Sequence, residues 1–187
     1  MKYFKKLVGE RIYLSPLCVE DAEKYTKWLN DFSVSDGLGR SGKVMTIEEE
    51  KQWIEQSYKD GDFYFAIVKL ENDELLGNCG IHDINYRDRT ATVGIFIGEE
   101  NERNNGYGTE TLQLLLDYGF HYLNLNNIML NVFSFNERAI ACYKKVGFQE
   151  FGRRRKSYFL NGKYYDKVYM DIVAEEFCGS YIKNKNQ

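Results

Sequence analysis

The sequence predicts an α/β domain built on a mixed sheet, and three features of the chain indicate it. Apolar strands within 63–97 are joined by turns too short for a parallel crossover, so they form an antiparallel meander. A strand at 90–97, a glycine-containing loop, a helix and a strand at 127–133 then form a right-handed parallel crossover. A hairpin follows about Asn161-Gly162, a pair that favours a two-residue turn.

The segment before the meander is predicted to hold a strand at 10–14 and a helix at 18–31, whose apolar residues recur at spacings of three and four. The run 33–43 contains three glycines and three serines, which predicts a mobile loop or a poorly ordered segment. Thr46 and Glu49 form a capping box that starts a helix reaching Tyr58. The remaining predicted elements are strands at 63–70, 75–84, 90–97, 127–133, 148–160 and 163–172, a helix at 111–123, and a helix capped by Asn136 that runs to Lys145 and ends at Gly147.

Composition bounds the class of protein. The 187 residues suffice for one domain with a sizeable core, and we expect a single domain over 1–187 with a frayed tail from about 174. The net charge of -3 argues against a nucleic-acid partner. No apolar window of membrane-spanning length and no apolar leader is found, so no membrane partner is expected. Four widely spaced cysteines fit a reducing cytoplasm, and neither histidine has a partner at metal-ligand spacing, so no metal is predicted.

The loop 102–110 is the strongest candidate for a binding site. Its glycines let the backbone approach a ligand, and the free N–H groups of the helical turn that follows attract anions. Arg103 adds a positive charge, so a phosphate or pyrophosphate is the predicted ligand. No G-x-x-x-x-G-K-[ST] string occurs, which excludes a P-loop, and a glycine loop alone can also serve only to cap a helix.

A second motif changes this interpretation. The string N-x-x-A-x-x-x-Y-x-x-x-G-F over 136–148 follows the glycine loop by about thirty residues and resembles the GNAT N-acetyltransferase superfamily. The segment 158–166 resembles its RimJ/RimL-like branch, and the resemblance covers roughly 9–172. It implies the α/β (α+β) GNAT fold, with a mixed six- to seven-stranded sheet flanked by about four helices. That sheet would splay open between the strands 90–97 and 127–133, with acetyl-CoA as co-substrate in the opening.

The resemblance also implies which residues hold the cofactor. The backbone of Phe96, Ile97 and Gly98 would bind the pantetheine arm. Asn136 would reach the cofactor from the end of the second strand and would also cap its helix. Ala139 and Tyr143, in the same motif, would contact the cofactor as well. The pyrophosphate would be bound by Arg103, Asn104, Asn105, Gly106, Tyr107, Gly108 and Thr109.

The expected reaction is direct attack of an amine on the thioester carbonyl, with backbone N–H groups stabilising the oxyanion. Tyr143 stands at the family position of the general acid for the departing thiolate, although without the motif it would be read as a core tyrosine. The ammonium must first lose its proton. The candidate bases are His82 or Asp83 at one strand end and Glu99 or Glu100 beyond the other, and an enzyme of this kind can also select the neutral amine from solution.

The acceptor is expected to be a primary amine, with a protein or peptide α-amino group as the main expectation. The alternatives are a small-molecule amine (a polyamine, amino sugar or aminoglycoside) and a non-catalytic acyl-CoA sensor. The run 33–43 should shape the acceptor pocket, and its one carboxylate, Asp36, stands beside two cations, unlike a polyamine site. The basic run 153–156 is read as a solvated strand face, or as a contact to an acidic acceptor or to the 3′-phosphate of CoA. Phe133 and Phe135 are candidates to limit acyl length, and a longer acyl donor and a homodimer stay open.

Overall fold

The computed structural model describes residues 2–59 and 61–183, and a single mixed sheet lies at its centre. The strands are β1 (Leu7–Val8), β2 (Ile12–Pro16), β3 (Phe63–Lys69), β4 (Leu75–Asn85), β5 (Thr90–Ile97), β6 (Asn127–Phe133), β7 (Gln149–Leu160) and β8 (Lys163–Val173). The helices are α1 (Ala22–Leu29), α2 (Phe32–Leu38), α3 (Ile47–Gln56), α4 (Tyr107–His121) and α5 (Glu137–Val146), with 3-10 turns at Val19–Asp21, Glu100–Glu102 and Ala174–Glu176. The strand order is β1-β2-β3-β4-β5-β6-β8-β7.

The predicted α/β class, meander, crossover and hairpin are confirmed. In the hairpin, Asn161 and Gly162 have φ values of 48° and 78°, which is the pair of positive angles that a type I′ turn needs. The described sheet has eight strands rather than six or seven, because the short β1 pairs with β2. There are five α-helices rather than about four in the described chain, because α2 forms where a loop was expected.

The sheet splays between β5 and β6, as the resemblance implies. Their parallel pairing is confined to the first three residues of each strand, ending at Thr92 opposite Met129. Beyond that point β5 stays paired with β4 as far as Ile97, and β6 stays paired with β8 as far as Phe133. Each strand therefore follows its other neighbour, and a gap opens at their C-terminal ends.

The two faces of the sheet carry different helices. On one face α4 and α5 cover a core that includes Val93, Leu115 and Ile128. On the other face α1, α2 and α3 pack their own cluster, in which the Trp28 ring meets Phe96 edge-on with centroids 6.2 Å apart. Because side chains alternate along a strand, neighbouring residues of β5 and β6 face opposite helical layers. Residues of α2 on one face and of α4 and α5 on the other line the gap, so it opens toward both layers.

Helix α2 is a correction to the sequence analysis, which expected a mobile loop over 33–43. The Asp31 side chain caps the helix by accepting the Ser33 N–H at 2.8 Å. Gly39 ends it in the left-handed conformation, at φ 68°. Val34 is buried against the α1 layer. Caps and tertiary contacts therefore stabilise a helix whose composition is poor in helix-forming residues.

The predicted frayed tail is also corrected in its described part. The backbone N–H groups of Tyr181 and Ile182 donate to the Asp117 carboxylate at 2.5 and 2.8 Å. Ile182 is only 4% exposed. The segment 174–183 is thus anchored on α4, whereas 184–187 lie outside the described residues. No helix in the described chain is long and apolar enough to cross a membrane.

Candidate active site

The gap between β5 and β6 leads into an open cavity of about 670 Å³, a volume typical of small-ligand sites. The first turns of α4 and α5, the ends of both strands and helix α2 line it. Most of the predicted site residues lie in its wall. They are His82, Phe96, Ile97, Arg103, Asn104, Gly106, Tyr107, Gly108, Thr109, Asn136, Ala139 and Tyr143.

Helix α4 presents an open N-terminus to this cavity. Gly106 precedes the helix with φ 85°, a conformation that favours glycine, and no side chain caps the end. The first backbone bond of the helix runs from the Glu110 N–H to the Gly106 oxygen. The N–H groups of Tyr107, Gly108 and Thr109 consequently have no acceptor within the helix. Free N–H groups and the positive end of a helix dipole are the features that bind anions in other proteins.

Glu110 fixes this helix end in place, and the sequence analysis missed it. Its carboxylate accepts the backbone N–H groups of Glu10 and Arg11 at 2.7 and 2.8 Å, and the Arg11 Nε at 3.1 Å. Glu110 thereby anchors the first turn of α4 to the β1–β2 turn. An acidic residue in a first helical turn is common, so nothing in the sequence indicates partners a hundred residues away.

Gly108 leaves room rather than satisfying a backbone constraint. A Cβ at this position would meet only the Cys142 Sγ, at 3.7 Å, which is ordinary contact. Thr109 Oγ1 lies 3.4 Å from the same sulfur. The fold therefore tolerates a side chain at 108, and glycine at this position keeps the helix end clear.

Arg103 was expected to add a fixed positive charge at the pyrophosphate, and the structure places its guanidinium in the cavity wall. Its Nε and Nη2 donate to the carbonyl oxygens of Ile97 and Gly98 at 3.2 and 2.8 Å. Its Nη1 and Nη2 donate to the Ser33 backbone oxygen and hydroxyl, each at 3.2 Å. Burial lowers the pKa of the guanidinium, and the nearby Arg138 lowers it further. Arg103 thus lines the cavity and joins the end of β5 to α2 through these hydrogen bonds.

Two other predicted site residues lie outside the cavity wall. The Glu99 carboxylate accepts the Trp28 indole N–H at 3.0 Å, so it is not placed to act as a base in the cavity. The Gly98 N–H donates to the Leu76 oxygen at 2.8 Å and so points at β4. A Cβ on Gly98 would lie 2.1 Å from the Trp28 ring, which explains the glycine by packing.

Asn105, the third such residue, has a structural role in the same loop. Its side-chain amide donates to the Asn101 oxygen at 3.0 Å, and its own backbone oxygen accepts from Arg11 at 2.8 Å. Asn105 does not line the cavity, whereas its neighbour Asn104 does.

Tyr143 lies on the α5 side of the cavity. Its ring packs edge-on against Phe148, with centroids 6.1 Å apart, and its phenol has no hydrogen-bond partner among the residues that the structure describes. Burial raises the pKa of the phenol, so the hydroxyl keeps its proton at neutral pH. A protonated hydroxyl beside the cavity has a proton to donate.

Asn136 caps α5, as predicted. Its Oδ1 accepts the Ala139 N–H at 3.2 Å. Its Nδ2 faces α2, since a Cβ on Gly37 would lie 3.2 Å from it. The amide nitrogen is therefore directed across the cavity while the oxygen holds the helix, so the capping and ligand-binding roles are compatible.

His82 lies on the opposite face of the sheet from α4. Its Nδ1 is 2.9 Å from the Asp83 Oδ2, and its ring stacks on Tyr64 with centroids 6.3 Å apart. Its Nε2 lies over Gly94 in the cavity wall, 3.7 Å from the position of a Cβ there. A carboxylate on one ring nitrogen orients the imidazole and leaves the other nitrogen directed at the cavity. Asp83 itself is 77% exposed.

Positive charge dominates the cavity wall, and most of it was missed by the sequence analysis. The one lining carboxylate among the described residues is Glu102, and it is bound to Lys69 at 2.7 Å. The glycine loop indicated Arg103, Arg154 was predicted only as part of a basic run, and no motif indicated the other three. The lining cations are Arg103, Arg138, Lys145, Arg154 and Lys167. The described residues contain no cluster of metal-ligating side chains.

Comparisons with known proteins agree with this geometry. A family model described as an acetyltransferase (GNAT) domain matches residues 15–169. The uncharacterized N-acetyltransferase YoaA of Bacillus subtilis is 34% identical over 182 residues, covering 91% of this chain and 97% of YoaA. The spermidine N(1)-acetyltransferase of Escherichia coli K12 is 33% identical over 144 residues, covering 70% of this chain and 77% of that enzyme.

Among solved structures, the spermidine N-acetyltransferase of Vibrio cholerae in complex with CoA and spermine is similar with a TM-score of 0.80 and 25% identity. The match covers 88% of this chain and 96% of that enzyme. The family model spans most of the sequence, including both strands that border the gap and both helix N-termini. The chain therefore belongs to the GNAT family of N-acetyltransferases, as the paired motifs predicted.

Proposed function

We propose that this protein transfers an acetyl group from acetyl-CoA to the primary amine of a small molecule. The observation that carries the proposal is the cavity through the splayed sheet. It has an uncapped helix end and the Tyr143 phenol on one face, and His82 on the other. A donor and an acceptor can therefore approach each other from opposite sides of the sheet.

The donor side fits acetyl-CoA, which supplies an activated thioester when it is bound. The free N–H groups at the start of α4 would hold the pyrophosphate. Two hydrogen bonds fix which way the backbone of β5 faces. The Arg89 oxygen, just before β5, points to β6 and accepts the Asn127 N–H, whereas the Gly98 N–H, just after β5, points to β4. Alternation between these points directs the backbone groups of Val93, Ile95 and Ile97 toward the gap. These residues, rather than Phe96 and Gly98, would therefore bind the pantetheine arm.

The proton transfers are assigned to groups on the two faces. His82 Nε2, oriented by the Asp83 carboxylate, is placed to take the proton of the incoming ammonium. Tyr143 is placed to protonate the departing thiolate from the α5 side. These two roles make turnover a better explanation of the site than an acyl-CoA sensor, which needs neither group.

A small-molecule acceptor is favoured over a protein α-amino group, which was the main expectation from the sequence. The spermidine acetyltransferases of Escherichia coli and Vibrio cholerae support it as similar proteins with small amine substrates. The two hydrogen bonds from Arg103 to Ser33 also hold α2 across the acceptor face. A helix fixed there restricts the site to a cavity rather than an open groove for a peptide.

The proposal is tested by free-thiol release from acetyl-CoA with purified protein and a panel of amines. The panel contains polyamines, amino sugars, aminoglycosides, amino acids and short peptides with free N-termini. We expect release with a small amine and none with peptides. Release with peptides alone restores the α-amino group of a protein as acceptor. Binding of acetyl-CoA in calorimetry without release on any amine indicates the sensor.

The four cysteines supply a proposal for location. None of them is paired in a disulfide in the structure. Unpaired thiols fit a reducing compartment, so we place the protein in the cytoplasm. Fractionation followed by detection of the protein in the soluble cytoplasmic fraction tests this.

A further inference from the structure

Two cations face each other on the hairpin that borders the acceptor side of the cavity. Arg154 on β7 and Lys167 on β8 are directly opposite in the antiparallel register, and Lys167 is in turn opposite Phe133 on β6. Directly opposite residues share a face of the sheet, with Cβ atoms about 5 Å apart. Arg154, Lys167 and Phe133 all line the cavity.

This pair lies on the other face of the sheet from the proposed pyrophosphate site. Val132 and Val168, the neighbours of Phe133 and Lys167 along their strands, are buried in the α4 core. By alternation, Phe133 and Lys167 point to the opposite layer, and Arg154 goes with them. The two charges are therefore part of the acceptor half of the cavity, with His82.

The charges of this pair are not compensated within the described chain. Like charges directly opposite each other destabilise a sheet. The adjacent Arg153 is neutralised by Glu150 at 3.0 Å and lies 3.5 Å from Asp166. No carboxylate is within ion-pair distance of the Arg154 or Lys167 side chain in the part of the chain that the structure describes. The Lys167 Nζ lies over the Tyr169 ring, 6.0 Å from its centroid, which is a weak contact for a full charge.

We infer that the acceptor amine also carries an anionic group, a carboxylate or a phosphate, which Arg154 and Lys167 bind. The inference rests on the proposed acetyltransferase function and specifies its substrate class. A guanidinium fork beside an ammonium matches the oxygens of such a group and makes charge-assisted bonds to it. A polycation such as spermidine is repelled at the same place, because no free carboxylate lines this half of the cavity among the described residues.

The test uses matched amines that differ only in their anion. The pairs are cadaverine and lysine, ethanolamine and phosphoethanolamine, and glucosamine and glucosamine 6-phosphate, with spermidine added. Thiol release from acetyl-CoA is followed for the wild-type protein, Arg154→Gln, Lys167→Gln and the control Arg155→Gln. Arg155 is exposed in the same strand and does not line the cavity.

In at least one pair, we expect kcat/KM for the amine that carries the anionic group to exceed that of the partner without it by about tenfold or more. Arg154→Gln and Lys167→Gln should each raise the KM for that member about tenfold, a larger change than for the partner amine that lacks the anion. Arg155→Gln should stay within about twofold of wild type, as expected of a solvated charge. The carboxylate and phosphate pairs distinguish the two kinds of anion.

The failures of the two proposals are distinguishable. If spermidine or the amines without an anionic group are turned over in preference to every anion-bearing partner, this inference is overturned and the acetyltransferase function still stands. If no amine reacts, the function fails, and the anion site is judged by calorimetry with inorganic phosphate on the CoA-saturated protein. Phosphate binding that is lost in Arg154→Gln supports the site, and no binding overturns it.

Discussion

The guanidinium of Arg103 donates to both the backbone oxygen and the hydroxyl of Ser33, at 3.2 Å each. The same guanidinium holds the carbonyl oxygens of Ile97 and Gly98. One side chain from the glycine loop thus joins the end of β5 to the start of α2. Since α2 forms one wall of the proposed acceptor side, the loop that is proposed to bind the donor also shapes the proposed acceptor pocket.

We predict that Arg103→Lys raises the KM for the acceptor about tenfold and changes the acetyl-CoA dissociation constant less than about threefold. A lysine keeps the charge but cannot reproduce the four bonds of the planar guanidinium. Steady-state kinetics and calorimetry measure the two quantities. Ser33→Ala removes one of the bonds and should cause a smaller change in the same direction. A loss of acetyl-CoA affinity with an unchanged acceptor KM would return Arg103 to pyrophosphate binding.

Helix α2 shows why the acceptor side was harder to predict than the donor side. Its sequence over 32–38 contains Gly, Ser and Asp, whose local signal is that of a loop. The helix forms because Asp31 caps it and Arg103, seventy residues later in sequence, binds its first turn. A contact over that distance leaves no trace in local composition.

Tyr143→Phe should lower kcat by about 10²–10⁴-fold, the usual contribution of a general acid. The acetyl-CoA dissociation constant should stay within about twofold, because the phenol has no hydrogen-bond partner among the described residues and the ring is retained. Burial raises the pKa of this phenol, so the wild-type enzyme should not lose activity through its ionisation below pH 10. Near-normal turnover of the variant would remove Tyr143 from the mechanism.

Gly108→Val should abolish acetyl-CoA binding in a folded protein. The first added carbon meets only Cys142 at ordinary contact distance, so the melting temperature should fall by only a few degrees. The side chain then occupies the space over the free N–H groups where the pyrophosphate is proposed to lie. Gly152→Val is a matched control, because no atom lies within 4 Å of a Cβ there. Equal acetyl-CoA affinity in both variants would place the pyrophosphate elsewhere.

The donor side was largely predictable because its residues are contiguous. Strand β6, the start of α4 and the cap of α5 lie within one stretch of sequence and carry motifs, and the structure places Gly106, Thr109 and Asn136 in the same cavity wall. The acceptor side is assembled from α2, β4 and the β7–β8 hairpin, which are distant in sequence. Arg154 and Lys167 meet only through strand pairing, and no spacing rule links them.

Glu50 gives a prediction about stability. It is 1% exposed on α3, its Oε1 has no partner among the described residues, and burial raises its pKa to about 7, partly offset by Arg40. Between the ordinary carboxyl pKa of about 4.5 and pH 7, the unfolded state has lost a proton that the folded state retains. Stability should therefore fall as pH rises through this window.

Glu50→Gln should remove this pH dependence. The variant should match wild type near pH 4 and exceed its unfolding free energy by about 2 kcal/mol at pH 8. Thermal unfolding followed across this range measures the effect. Glu55→Gln, an exposed position on the same helix, should leave the wild-type pH dependence in place. An equal offset for Glu50→Gln at both ends of the range would show that the carboxyl does not titrate in this way.

His82→Gln tests the assignment of the base. Glutamine preserves a polar side chain over Gly94 but cannot accept the proton of the ammonium, so kcat/KM at neutral pH should fall about 10²-fold. The acid limb of the kcat/KM profile should also move in this variant toward the amine's own pKa of about 10, because without a base only the deprotonated amine reacts. Asp83→Asn removes the charge that orients the ring and should cause a smaller loss with the acid limb retained. A His82→Gln profile that keeps the wild-type acid limb would mean that the enzyme selects the neutral amine from solution, and the site would then need no base of its own.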